Sequence, residues 1–433
     1  MVTRILRRVL SALLLLTWSG AVAAAERPAP LLAPGNPARS IRGSRPAESI
    51  GPPAVGVLLP LSGRYQSFGE SCLRGIRVSL GAVEDRTPFV RTVILDTHGE
   101  PMEAASAYQK LAADPGIVAV LGPMLSPELD AVRSYALGFD LATVHFSQRP
   151  LPVGGPLFRF SMTKEDQAKV LARYAVGELG LRRWAIFHPD DAYGREISSD
   201  FRLAAESLGA RVVADVDYPP EKTDLQAEAK RLQAKVGASE SEPPAIDGVF
   251  LPETAERLGM VTSYLAFVDI RGVQLLGASG WDRPQELLAA MPSVNRGIFV
   301  DGFFLYSFRP EVRAFVDAYR DGYHDDPGTL EAYGYDAASL VRDLIAAGNV
   351  TRGALLGALR RPFSRRGATG DTIVAPGGRI EKGLFLLRIE DGTIREIETS
   401  ANSATLDAAA PGERGAFFRP PSDSLSMDRG QRW

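Results

Sequence analysis

Ala54-Val55-Gly56-Val57-Leu58-Leu59-Pro60-Leu61-Ser62-Gly63-Arg64-Tyr65 opens on six uncharged residues with no polar–apolar alternation. A run that is apolar on both faces reads as a strand buried on both sides, as in a parallel sheet. Pro60 and Gly63 end it. The next segment, 71–83, carries Cys72, Leu73, Ile76 and Leu80 on one helical face. The strand–turn–helix unit then repeats. Further apolar runs lie at 92–95, Ile117–Leu121 and 142–146, and again at 184–187, 211–216, Gly248–Leu251, 273–276 and 298–303. Between them are amphipathic segments such as 192–208, with Ile197, Phe201, Ala205 and Leu208 on one face. Such alternation predicts doubly wound α/β units with right-handed crossovers.

The alternation happens twice, with a Pro- and Gly-rich break at 150–156. Two α/β lobes are therefore expected. Lobe one takes 54–160 plus 303–395, and lobe two takes 161–302. Two further helices are expected at 311–323 and 330–345, and an alternating strand at 383–390. Open parallel sheets bind ligands beyond the carboxyl ends of their strands. Two such sheets joined by a hinge would offer both sets of strand-end loops to one interlobe cleft. The flanks differ in kind. Residues 26–53 read as a Pro-rich linker and 396–433 as a flexible tail.

Composition narrows the function. The chain has 433 residues, 45% hydrophobic and 23% charged, which is ordinary for a soluble globular protein. Forty-nine Lys and Arg against 52 Asp and Glu give a net charge of −3, so no polybasic nucleic-acid surface is expected. The single cysteine, Cys72, excludes a disulfide framework and a multi-Cys zinc site. His98, His145, His188 and His324 lie far apart, without helical metal-pair spacing, so neither a metal nor another cofactor is expected.

Residues 1–25 read as a secretory signal. Arg4, Arg7 and Arg8 precede an apolar core, and Ala23-Ala24-Ala25 fits a small-residue cleavage site before Glu26. The apolar run is shorter than the roughly 20 residues a spanning helix needs. No cysteine stands just after the signal, the one cysteine being Cys72, so a lipid anchor is not expected. The mature protein is expected in the periplasm.

Several blocks now resemble one family. Residues 55–65 with Phe68-Gly69 resemble the opening of type I periplasmic solute-binding proteins, the receptors of branched-chain amino acid ABC transporters. Other blocks agree in order: Leu121-Gly122-Pro123-Met124-Leu125-Ser126, Phe158-Arg159-Phe160 before Asp166-Gln167, Asp190-Asp191-Ala192-Tyr193-Gly194, Leu276-Gly277-Ala278-Ser279-Gly280-Trp281 and Tyr335-Asp336-Ala337-Ala338. The resemblance spans about 54–395. It implies a non-catalytic receptor that captures a small molecule, such as an amino acid, between two lobes and delivers it to an inner-membrane ABC permease. A related branch comprises lipoproteins that activate penicillin-binding proteins, and the 58–63 and Gly280-Trp281 blocks look like that branch too. A penicillin-binding protein is therefore the alternative partner.

The resemblance also assigns a site. Tyr65 would lie near the cleft. Ser126, which with Pro127 also reads as a helix start, would offer its hydroxyl to a ligand carboxylate. His145, Phe146 and Ser147 would end a lobe-one strand at the ligand, with Ser147 as a second hydroxyl. From lobe two, Tyr193 would cover the ligand. The residues themselves add two more beyond a lobe-two strand end: Asp282 suits an ammonium, and Trp281 suits either stacking on it or filling apolar space inside the lobe. An ammonium in a half-dry site needs a carboxylate. Asp282, Asp166 and Glu331 all remain candidates, although Asp166 also suits the positive end of its own helix.

Enzyme motifs are weak. Ser161-Met162-Thr163-Lys164 matches S-x-x-K and Ser293-Val294-Asn295 resembles S-x-N, but no K-T-G follows. There is no G-x-S-x-G, Walker A or G-x-G-x-x-G.

Overall fold

The computed structural model describes residues 52–83, 89–150 and 152–397, together with the backbone of 417–418. The expected signal at 1–25, nearly all of the linker and most of the tail lie outside these residues. The first sheet holds β1 (Ala54–Leu59), β2 (Arg91–Asp96), β3 (Ile117–Leu121), β4 (Ala142–His145) and β5 (Leu157–Arg159) in the order β2-β1-β3-β4-β5. Every pairing in it is parallel. Helices α1 (Gln66–Leu80), α2 (Pro101–Ala113) and α3 (Ser126–Phe139) make the crossovers.

The second sheet repeats the plan with β6 (Arg183–Pro189), β7 (Arg211–Tyr218), β8 (Gly248–Leu251), β9 (Gln274–Gly277) and β10 (Ile298–Asp301), all parallel. Its helices are α4 (Lys164–Ala172), α5 (Ala192–Ser207), α6 (Gln226–Val236), α7 (Ala255–Phe267) and α8 (Pro284–Ala289). Then come α9 (Pro310–Tyr323), α10 (Thr329–Ala346) and α11 (Arg352–Leu359). Strands β11 (Phe363–Gly367), β12 (Gly370–Val374) and β13 (Ile380–Lys382) form a small antiparallel sheet.

Strands β14 (Phe385–Glu390) and β15 (Thr393–Glu396) correct the expected lobe boundary. The strand at 383–390 was expected to stay with lobe one. Instead β14 pairs antiparallel with β10, and β15 pairs with β14, on the second sheet. The physical reason is burial: Phe385, Leu387, Ile389 and Ile394 share one core with Phe299 and Trp281. Val312, Phe315, Val316 and Tyr319 of α9 join that core as well, whereas α10 and α11 pack on the first sheet. A two-residue strand β16 (Phe417–Phe418) extends the second sheet at β15. It puts two residues of the expected flexible tail on a sheet edge.

Both sheets are covered on both faces, as parallel sheets require. α1 and α10 pack almost backbone to backbone. A Cβ on Gly75 would stand 1.8 Å from the Glu331 carbonyl oxygen, and one on Gly334 2.2 Å from that of Cys72. Only glycine at both positions allows this approach.

The chain passes between sheets three times: after β5, after β10 and between β13 and β14. The first passage leaves the carboxyl end of β5. The other two meet the carboxyl end of β10, where Asp301 pairs with Phe385. The strand ends that carry binding loops in this class of fold therefore converge on the same junction. Lys382 is buried there. Its Nζ lies 4.5 Å from the centre of the Phe160 ring, donates to Thr372 Oγ1 at 2.6 Å and stands 4.0 Å from Asp336 Oδ2. Burial brings it down to about 8. Asp336 in turn accepts from the Ala368 and Thr369 N–H groups and the Thr369 hydroxyl, tying the small sheet to α10.

Candidate functional site at the lobe junction

On lobe one, the loop after β1 is held by Asp96, whose Oδ1 accepts the Leu61 N–H at 2.8 Å and the His98 N–H at 2.8 Å. Ser62 Oγ meets His98 Nδ1 at 2.6 Å. Tyr65 is half-buried and lies against Gly99, with the Arg64 guanidinium 5.4 Å from its ring centre.

Ser126 is the first residue of α3, and Leu125 occupies the cap position. The capping role read from the sequence belongs instead to buried Glu128, whose carboxylate accepts the Leu125 N–H at 2.9 Å and the Thr97 hydroxyl. Burial raises the Glu128 pKa. Freed from capping, Ser126 Oγ lies 2.9 Å from Ser147 Oγ. Ser147 is itself buried; its Oγ accepts the Arg149 N–H at 3.1 Å and its carbonyl accepts the Ser161 hydroxyl at 3.2 Å.

His145 and Phe146 belong to the interior. His145 is fully buried, with the Ser147 backbone as its one polar neighbour. Burial, reinforced by nearby Arg159, pushes it down to about 3, so it is neutral at physiological pH. Phe146 joins the core between the first sheet and α1. Side chains alternate along a strand end, and here both faces are covered by helices, so neither of these two reaches a solute-facing surface.

On lobe two, Asp191 caps α5 by accepting the Gly194 N–H at 2.6 Å. Tyr193 follows, with its hydroxyl bonded to Ser279 and Lys164 Nζ 6.0 Å from its ring centre. Burial pushes Tyr193 up to about 12. The Ser279 N–H donates to Gln167 Oε1 at 2.9 Å, anchoring the loop after β9 to α4.

Trp281 is a core residue, so of the two places open to it from the sequence the structure takes the one inside the lobe. Its side chain is 0% exposed, and its indole N–H donates to the Leu251 carbonyl at 3.1 Å. The ring lies in the space left by glycines: Cβ atoms built on Gly277 and Gly297 would stand 2.1 Å and 2.9 Å from it.

Of the three candidate carboxylates, two serve helix starts. Asp166 closes a capping box with Thr163, accepting its N–H at 3.1 Å and hydroxyl at 2.6 Å. Glu331 accepts the Gly328 N–H at 3.1 Å at the start of α10. Asp282 remains. It is half-exposed and is hydrogen-bonded to buried Asp301 at the end of β10. The sequence reading passed over Asp301 and Ser279. Ser279 stands just past the run 273–276 and Asp301 is the one charged residue inside the run 298–303, the local signals that could have marked them.

The structure thus joins Ser126 with Ser147, Tyr193 with Ser279 and Asp282 with Asp301 at strand ends. His145, Phe146 and Trp281 are buried in the lobes. Among the described residues no helix is long and apolar enough to cross a membrane.

A family profile described as periplasmic binding protein matches residues 52–393. A Leu/Ile/Val-binding protein, BraC3 of Rhizobium johnstonii, is 25% identical over 191 residues, or 42% of this chain and 51% of that protein. The chain thus matches about half the length of this curated relative. Two crystal structures share the fold. One is a protein of Rhodospirillum rubrum assigned to branched-chain amino acid ABC transport, with a TM-score of 0.71, 23% identity, and coverage of 80% of this chain and 100% of that one. The other is an ABC transporter substrate-binding protein of Desulfitobacterium hafniense in complex with Leu, with a TM-score of 0.59, 24% identity, and coverage of 80% and 99%. On this evidence the chain belongs to the periplasmic binding protein family.

Proposed function

We propose that this protein is an exported receptor that captures an amino acid or a related small solute between its lobes and presents it to an ABC permease. The observation that supports the reading is the convergence of both sheets' carboxyl ends on the same three passages, with the Ser126–Ser147 hydroxyls on one side and Tyr193, Ser279 and Asp282 on the other. A solute that touches both lobes only when they are closed shifts the population toward closure. The permease would read that closed shape, and no chemical step is required. The mature chain would begin at Glu26 in the periplasm without a lipid anchor.

The test is the melting temperature of the purified protein against the twenty amino acids. A ligand at 100 times its Kd adds about 2.7 kcal/mol. For a chain of this size that raises the midpoint by several degrees, at ~2–4 °C per kcal/mol. No shift with any amino acid, beside a measured complex with a penicillin-binding protein, would replace this reading with that of a cell-wall regulator.

A further inference from the structure

Three passages join the lobes, and one side chain of lobe one reaches all three. Tyr333, on α10, is 6% exposed. On the first passage, beyond β5, the Phe160 ring meets it edge-on, with centres 6.3 Å apart and planes at 84°. Its hydroxyl meets the Met162 backbone further along the same passage. On the second passage, beyond β10, a Cβ on Gly302 would stand 2.6 Å from the Tyr333 hydroxyl oxygen and 2.9 Å from its ring. Gly302 does not have a positive φ, so the backbone there does not call for glycine. The closeness of Tyr333 does. On the third passage, at the end of β13, Lys382 Nζ lies 5.8 Å from the Tyr333 ring centre and 4.5 Å from that of Phe160.

Tyr333 is fixed to lobe one from behind. A Cβ on Gly334, the next residue, would stand 2.2 Å from the Cys72 carbonyl oxygen of α1, and Asp336 of the same helix is filled by donors from Ala368 and Thr369. The lobe-one ends of two passages are fixed beside it. The Phe160 N–H donates to the His145 carbonyl at 2.8 Å, and the Gly383 N–H donates to the Asp371 carbonyl at 2.7 Å. The first passage also reaches the candidate site, because the Ser161 hydroxyl donates to the Ser147 carbonyl. Lobes that rotate about their connections concentrate the change in backbone angles in a few such residues. Close-packed contacts there transmit a displacement instead of absorbing it.

We propose that Tyr333 is the pivot of this rotation, a positioning residue on which all three passages bear. Displacing one passage against it displaces the other two and, through Ser161, the Ser147 segment. The inference rests on the receptor reading for what the rotation serves, but the contacts are tested without a solute.

Amide hydrogen exchange of the full mature chain, read at residue level, tests it. Gly302→Ala forces a methyl against Tyr333 from the second passage alone. The Phe160 and Gly383 amides, on the first and third passages, should then exchange roughly tenfold faster or more. The Gly122 amide, which donates to the Val144 carbonyl inside lobe one, should keep its wild-type rate. Tyr333→Phe removes the atom nearest the added methyl, so combining the two changes should reverse most of the effect at Gly383. On its own, Tyr333→Phe loses the tie to Met162 and should speed exchange at Phe160. That variant decides the matter if Gly302→Ala does not fold, and an unchanged Phe160 rate in it would overturn the pivot. A change confined to the second passage, an equal rise that includes Gly122, or additive effects in the double variant would also overturn it and leave the receptor reading standing. Coupled exchange in a protein whose melt no amino acid shifts would support the pivot and count against the receptor reading alone.

Discussion

Ser126 Oγ and Ser147 Oγ lie 2.9 Å apart, joining the start of α3 to the segment that follows β4. Twenty-one residues separate them in the chain. They meet because β3 and β4 are adjacent parallel strands whose ends are level, with Leu121 paired to Val144. Under the receptor reading this hydroxyl pair donates to a solute carboxylate. Ser147→Ala should then weaken the bound amino acid by about 1–3 kcal/mol while costing the ligand-free protein only about 1 kcal/mol. Calorimetry and urea denaturation measure the two effects. Lost stability with unchanged affinity would make the pair purely a loop tie.

Trp281 carries the opposite expectation. Its ring fills the space over Gly277 and Gly297 inside the second lobe, with its N–H satisfied by Leu251. Trp281→Ala should lower the unfolding free energy by about 3–5 kcal/mol, through lost burial and the cavity left behind. A variant that keeps the wild-type denaturation midpoint and loses only solute affinity would show that the ring works at the ligand.

The contrast between these two residues shows what the sequence makes legible. Parallel strands buried on both faces write themselves as apolar runs, so Ala54–Leu59, Ile117–Leu121 and Gly248–Leu251 are readable to the residue. Leu157–Arg159 is three residues long directly after a Pro- and Gly-rich break and leaves no such trace. The strand at Phe385–Glu390 is visible as an alternating pattern, but its partner Ile298–Asp301 is set by shared core packing, which local pattern does not encode. The site is harder still. Whether Ser126 caps a helix depends on Glu128 taking that role, and whether Trp281 faces out depends on glycines that are distant or silent in sequence. Asp301 has no motif at all; the acid beside it, Asp282, belongs to a different loop and is brought there by the fold.

His145 gives a pH-dependent prediction. A buried histidine held neutral favours the folded state only while the unfolded chain's histidine is also neutral. As the pH falls below about 6.5 the unfolded chain takes up a proton that the folded chain refuses until about pH 3. Stability is therefore lost through that window, by about 4 kcal/mol at its lower end. His145→Leu removes the titrating group, so it should lose less stability than wild type does between pH 7 and pH 5, by thermal denaturation. The same loss in variant and wild type would mean that His145 does not set the acid sensitivity.

Export is read from the Arg-flanked apolar segment and Ala23-Ala24-Ala25. Intact mass of the protein recovered from the periplasm should correspond to a chain starting at Glu26. A full-length or acyl-modified mass would contradict cleavage after Ala25 or the absence of a lipid anchor.

The central claim is that a small solute closes the two lobes on each other. Small-angle X-ray scattering of the mature chain, alone and with saturating amino acids, measures this directly. The account predicts that at least one amino acid contracts the particle to a smaller radius of gyration without changing its mass. An identical scattering curve with every amino acid, together with a one-to-one complex with a penicillin-binding protein, would contradict it.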